Sequence, residues 1–263
     1  PTTDSSETII QCLTDTARRL GISVRTGAGV ETLSRCSGTG SGENATWHLK
    51  LLTGETVVAD RVLIATGGYP QLPSYGWLPA QAEPLVSPVP SLFTFNVPSS
   101  PLLSLAGVSV PLAEVSVAGT KLAQRGPLLL THWGFSGPAV LRLSAWGART
   151  LADLNYRFTL RINWTPALND EALRSTLQQF RQDNGKKLVG TANPFGLPAR
   201  LWQALNTQAG ATETSRWAEL PGKTQNRLAE LLTNSRFDVV GKSTFKDEFV
   251  TCGGVSLGSV CPD

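Results

Sequence analysis

Three short stretches of this 263-residue chain carry residue types able to do chemistry. In the first, the apolar run Arg61-Val62-Leu63-Ile64-Ala65 stops at Thr66-Gly67-Gly68. Glycines directly after a strand let the backbone approach a ligand and take φ > 0 without a Cβ clash, and ligands of open α/β sheets bind at the carboxyl ends of strands. A plain tight turn after a core strand accounts for the tetrapeptide equally well. In the second, His132 stands in the Gly/Ser/Pro-rich stretch Thr131 to Leu141. An imidazole that titrates near neutrality can donate, accept or carry a proton. The structural alternative is that His132 and Ser136 hydrogen-bond to each other or to backbone and fix a loop. The third is Thr251-Cys252-Gly253-Gly254, a thiol beside two glycines. The adjacent carboxylates Asp247 and Glu248 are strand-borne, so they face opposite ways and form no acid/base pair by themselves. Gly134-Phe135-Ser136-Gly137-Pro138 echoes a G-x-S-x-G nucleophile turn only superficially, because Pro138 stands where the last glycine is needed for close strand-helix packing.

The elements that must position these residues follow from apolar spacing. Ile9, Ile10, Leu13, Ala17 and Leu20 recur at helical spacing over residues 4 to 20, with Asp4 and Glu7 placed as a capping box. Ile22-Ser23-Val24 starts a short strand that leads to Val30-Glu31-Thr32-Leu33. The Gly/Ser-rich stretch Ser37 to Asn44 reads as a hairpin loop, followed by the alternation of Trp47, Leu49 and Leu51. A turn at Thr53-Gly54 feeds Val57-Val58, and the run 61–65 reads as a strand buried on both faces. From Pro70 to Pro111 proline content rises and apolar residues come in short pieces such as Leu92-Phe93-Thr94-Phe95, which marks a new domain. Strand-like segments near 106–118, 127–132 and 154–163, with a short helix from Pro138 to Trp146, suit a small barrel or sandwich. Beyond Pro166 three or four helices follow, and strand character returns at 237–240 and 248–257. Trp133, Trp146 and Trp164 are read as packed in a core or domain interface.

Composition narrows the function classes. With 41% hydrophobic and 16% charged residues the chain has enough apolar material for one large core or two ordinary ones. Its net charge is +3 and its basic residues are scattered, which predicts no nucleic-acid partner. The apolar stretches are far short of the ~18 residues that a membrane span needs, which predicts no membrane partner and a cytoplasmic location. Cys12, Cys36, Cys252 and Cys261 have no C-x-x-C spacing, so no metal site is expected.

Three stretches carry a resemblance: Pro88-Val89-Pro90-Ser91-Leu92-Phe93-Thr94-Phe95, Thr131-His132-Trp133-Gly134-Phe135-Ser136-Gly137-Pro138-Ala139-Val140-Leu141, and Glu248-Phe249-Val250-Thr251-Cys252-Gly253-Gly254-Val255. With the order helix, short strand, antiparallel excursion, strand and Ala-Thr-Gly-Gly, they resemble the bacterial BaiN-like, aminoacetone-oxidase-like FAD-dependent flavoproteins. The resemblance implies that Val30 meets the adenine of FAD. It implies that Ala65, Thr66, Gly67 and Gly68 pass near its diphosphate and ribose, and that Thr251, Gly253 and Gly254 approach the isoalloxazine ring. It also implies NAD(P)H as a partner of the complete enzyme, and His132, from its own chemistry, is the candidate catalytic residue. The G-x-G-x-x-G turn that holds the FAD pyrophosphate in such proteins is missing here, so the chain reads as a segment cut short at both ends.

The expected fold class is α/β plus an inserted α+β part: a partial two-dinucleotide-binding-domain, Rossmann-like FAD domain with an inserted β-barrel-like and helical domain. The expected boundaries are 1–84 for the partial FAD-binding domain, 85–165 for the barrel-like insertion, 166–245 for its helical part and 246–263 for the return strand. The expected activity is flavin-mediated hydride transfer on an undefined small molecule. The alternative is a non-catalytic partner-binding module, suggested by the aromatic and proline-rich stretch from Pro88 to Pro101.

Overall fold

A computed structural model describes residues 2–36, 46–79, 85–243 and 250–259. The chain divides into two compact units, one of Pro1–Gly67, Leu72–Pro84 and Leu257–Asp263, the other of Gly68–Gln71 and Leu85–Ser256.

The first unit opens with α1 (Glu7–Arg19), whose Glu7 and Arg18-Arg19 suit the two ends of the helix dipole. The capping box does not form: the N-cap is Ser6, with no side-chain cap bond. β1 (Val30–Cys36), β2 (Thr46–Leu51) and β3 (Thr56–Ala59) make an antiparallel sheet in the order β1-β2-β3, the expected excursion. Its small core is Leu33 and Leu51, and Val30 is paired with Leu51 at an irregularity in the ladder.

Two expectations fail in this unit. Residues 22–24 form no strand, and neither does the run 61–65, where Leu63 is 91% exposed and Ile64 is also exposed. The reason is pairing: an apolar run becomes a buried strand only with neighbours on its edges and faces, and within this unit the ladder stops at β3. α1 likewise has its apolar stripe, but buries none of it. Ser37 to Asn44 lie outside the described residues.

The second unit is built on β4 (Leu85–Ser91), β5 (Thr94–Asn96), β6 (Ser109–Val117), β7 (Ala123–Leu130), β8 (Gly134–Ser136), α2 (Pro138–Trp146), α3 (Ala148–Asp153) and β9 (Phe158–Asn163). It continues with α4 (Asp170–Asp183), α5 (Ala199–Ala209), α6 (Gly222–Asn234), β10 (Ser235–Val239), β11 (Gly241–Ser243) and β12 (Val250–Val255). Seven strands form one sheet in the order β10-β9-β6-β7-β8-β5-β11, and β4 pairs with β12 separately. The expected barrel is therefore an open antiparallel sheet among the described residues. Alternation writes this sheet, since Leu128 and Leu130 on β7 and Phe237 and Val239 on β10 are buried while their neighbours face out.

α2 begins at Pro138, whose missing N–H is no loss at the first helical position, and lays Ala139, Val140 and Leu143 on the core. The helical layer is the other half of that core. Asn169 caps α4 by accepting from Ala172 N at 2.8 Å, and Gly210 ends α5 at φ +97°. Trp202 and Trp217 stack at 6.3 Å, each satisfying its indole N–H on a backbone carbonyl, of Val189 and Ala192 respectively. Trp164 is buried as expected, but Trp133 and Trp146 are 39% and 79% exposed, because they sit on a loop and on the outer face of a helix. Phe93 and Phe95 are buried, so the stretch from Pro88 to Pro101 is no exposed aromatic patch. Among the described residues no helix is long and apolar enough to cross a membrane.

Candidate functional site

β12 is bulged against β4: the register slips between Cys252 and Gly254, so Gly253 has no partner. Gly253 sits at φ +138° and Gly254 at φ +107°, a backbone that residues with a β-carbon rarely adopt. The two glycines thus lie within the strand rather than after it. A β-carbon on Gly253 would stand 2.8 Å from Pro88 Cα and 2.9 Å from the Arg149 guanidinium. Arg149, on α3, donates from Nη2 to the Cys252 carbonyl at 3.1 Å. Because this bond uses one of five N–H donors, the guanidinium is oriented at the bulge with donors to spare. Sequence reasoning missed Arg149, which no motif marks.

Gly68 packs against the same strand, where an added β-carbon would lie 2.3 Å from Thr251 Oγ1. The structure therefore brings Gly68, Thr251, Gly253 and Arg149 together in the second unit. Val30, Ala65, Thr66 and Gly67 belong to the first unit, with Gly67 at φ +72° and 65–67 exposed. Asp247, Glu248 and Cys261 lie outside the described residues.

His132 is exposed at the tip of the β7–β8 connection. Its backbone is pinned on either side: Thr131 N donates to Gly134 O at 2.8 Å, Gly134 N to Thr131 Oγ1 at 3.1 Å, and Val97 N to Trp133 O at 2.7 Å. Ser136 is engaged elsewhere, accepting from Thr94 Oγ1 at 3.1 Å. The glycines of this motif are explained by packing, since a β-carbon on Gly137 would lie 2.9 Å from Leu129 N.

On β11, the Lys242 ammonium lies 4.8 Å over the Tyr156 ring, and burial pushes the lysine pKa down and the tyrosine pKa up. A groove of about 740 Å³ beside α4 and an apolar cleft of about 330 Å³ between Leu112 and Phe195 are lined by neither His132, Arg149 nor Gly253. No group of three His, Cys, Asp or Glu side chains among the described residues could hold a metal ion.

What the bulge offers is bare backbone next to a fixed cation. That suits a planar, electron-rich or anionic group lying along the strand, and in these features the residues fit one wall of a flavin site. The family whose model matches this chain is one of flavoprotein-type oxidoreductases. Residues 89–250 match the family described as "HI0933-like protein barrel and H2TH domain", and the chain belongs to that family. The ribosomal RNA dihydrouridine synthase of Escherichia coli (strain K12) is 27% identical in a match covering 98% of this chain and 61% of that protein. The protein of the same description from Haemophilus influenzae (strain ATCC 51907 / DSM 11121 / KW20 / Rd) is also 27% identical, over 74% of this chain and 47% of its own length. The chain thus spans between about half and three fifths of these curated relatives.

Proposed function

We propose that the chain is part of a BaiN-like, FAD-dependent oxidoreductase that transfers hydride from flavin, with NAD(P)H as the reductant, to a pyrimidine ring in RNA. The observation that carries the reading is the bulge at Cys252–Gly254, just beyond the matched segment 89–250, with Arg149 of that segment held against it. FAD, when bound, supplies the redox chemistry. In this reading Gly68, Thr251, Gly253 and Gly254 line the ring, and Val30, Ala65, Thr66 and Gly67 serve its adenine and diphosphate. Residues 1–84 and 246–263 are assigned to a Rossmann-like FAD-binding part, with 85–165 and 166–245 as the inserted barrel-like and helical parts.

Saturating a ring C=C takes a hydride and a proton, and His132 is proposed as the side chain that carries the proton. The substrate departs from the expectation of a small molecule without nucleic acid. Support comes from the named substrate of the two relatives and from charge: the second unit holds 17 Lys and Arg against 11 Asp and Glu, although the whole chain is only +3.

The test is to purify the protein encoded by the complete reading frame and incubate it with NAD(P)H and RNA from cells lacking the gene. The expected result is a yellow protein that releases FAD and adds two hydrogens to a uracil in that RNA. A protein that takes up no flavin would end the assignment.

A further inference from the structure

α2 divides cleanly into two faces. Ala139, Val140, Leu143 and Ser144 are buried, while Pro138, Arg142 and Trp146 are exposed and follow one another at a spacing of four residues. Trp146, at 79%, is far more exposed than Trp133 at 39%, the other tryptophan whose surface faces solvent. An indole left in water forgoes the burial that usually pays for its size, and neither the fold nor the reading above uses it.

Along the chain near Trp146, basic residues outnumber acidic ones. From Gly119 to Asn169 the chain carries six Lys and Arg and a single carboxylate, Asp153. Two of the six flank the indole on the chain, Arg142 one turn before it and Arg149 three residues after it. Arg142 is exposed, and Arg149 is the residue that reaches the Cys252 carbonyl at the bulge. Along the chain, Trp146 thus lies between the exposed Arg142 and the arginine of the candidate site.

An exposed indole between guanidinium groups matches the chemistry of an unpaired RNA strand. The indole face stacks on a base of any identity, and guanidinium groups meet the phosphates beside it. Exposed Trp and Arg also suit a protein interface, and it is the named substrate of the two relatives that favours RNA. The structure assigns to the Arg142–Trp146 face of α2 the docking of an unpaired RNA segment, one base stacked on Trp146 and a neighbouring phosphate held by Arg142. The assignment rests on the reading that the substrate is RNA, and it adds where the strand enters.

The experiment is fluorescence anisotropy of a labelled, unstructured RNA oligonucleotide with this chain, compared with Trp146→Ala, Arg142→Gln and the control Arg236→Gln on β10. Trp146→Ala is expected to weaken binding by about tenfold or more. Arg142→Gln should flatten the dependence of log Kd on log salt by about 0.7, one phosphate on a single strand. Arg236→Gln should bind as the parent does. If the parent chain binds the RNA and Trp146→Ala binds it equally well, with unchanged circular dichroism, the docking face is wrong and the RNA reading stands. If the parent binds no RNA, the RNA reading fails and the docking face falls with it. Binding of polyglutamate with the same dependence on Trp146 would make the face a protein-docking surface and overturn the assignment.

Discussion

A β-carbon on Gly134 would stand 2.1 Å from the carbonyl oxygen of Phe95. β8 and β5 are paired here, Phe95 opposite Phe135 and Asn96 opposite Gly134, and a backbone oxygen inside a ladder cannot move aside. Gly134→Ala is therefore expected to lower stability by about 3 kcal/mol, the upper end of overpacking costs. Urea unfolding measures it, and a loss under about 0.5 kcal/mol would show that the two strands are not this close.

Asn206 is buried on α5 and donates to the Trp202 carbonyl at 2.8 Å, while its Oδ1 has no hydrogen-bond partner among the described residues. A buried acceptor without a donor costs about 1–3 kcal/mol, more than the mean gain from the one bond that the amide makes. Asn206→Leu, similar in volume, should raise the melting temperature, and Asn206→Asp should lower it by burying a carboxylate. A lower melting temperature for the leucine variant would mean that Oδ1 is satisfied in solution.

In the first unit, Arg25 holds Glu55 with two hydrogen bonds at the turn between β2 and β3. Those bonds, then the guanidinium charge, hold the Glu55 carboxyl below its ordinary value. A depressed carboxyl pKa gives a contribution that is present above the unfolded value of about 4.3 and is lost as pH falls through the folded one. Both groups are at the surface, so the effect on global stability is small. Carboxyl chemical shifts of Glu55 should titrate at lower pH in the parent than in Arg25→Gln. Coincident curves would remove the pairing.

His132 is exposed and its neighbours, not its ring, fix the loop. His132→Asn is expected to leave stability within about 0.5 kcal/mol, the range of ordinary surface changes. In the complete flavoprotein it should lower reduction of RNA by about 10²-fold. An unchanged rate would reduce His132 to a bystander.

The chain's own pattern determined the local elements. α2 falls on Pro138–Trp146 as read, and the three antiparallel strands around residues 30–59 and the later helices appear where spacing puts them, because periods of two and near four are properties of neighbouring residues. Gly67-Gly68 and Gly253-Gly254 were legible as sites of close approach, and the approach is real at Gly68 and Gly253, while nothing lies within 4 Å of a β-carbon on Gly67.

Tertiary structure alone decided the rest. Val62 to Ala65 have the composition of a core strand, yet burial needs partners that a local pattern does not contain, and Leu63 lies in water. Trp133, Trp146 and Trp164 look alike in sequence, and only the packing of loop, helix and sheet sends one inward and leaves two outside. Arg149 carries no motif: it is 103 residues from the carbonyl that it binds, and folding alone sets it against Cys252.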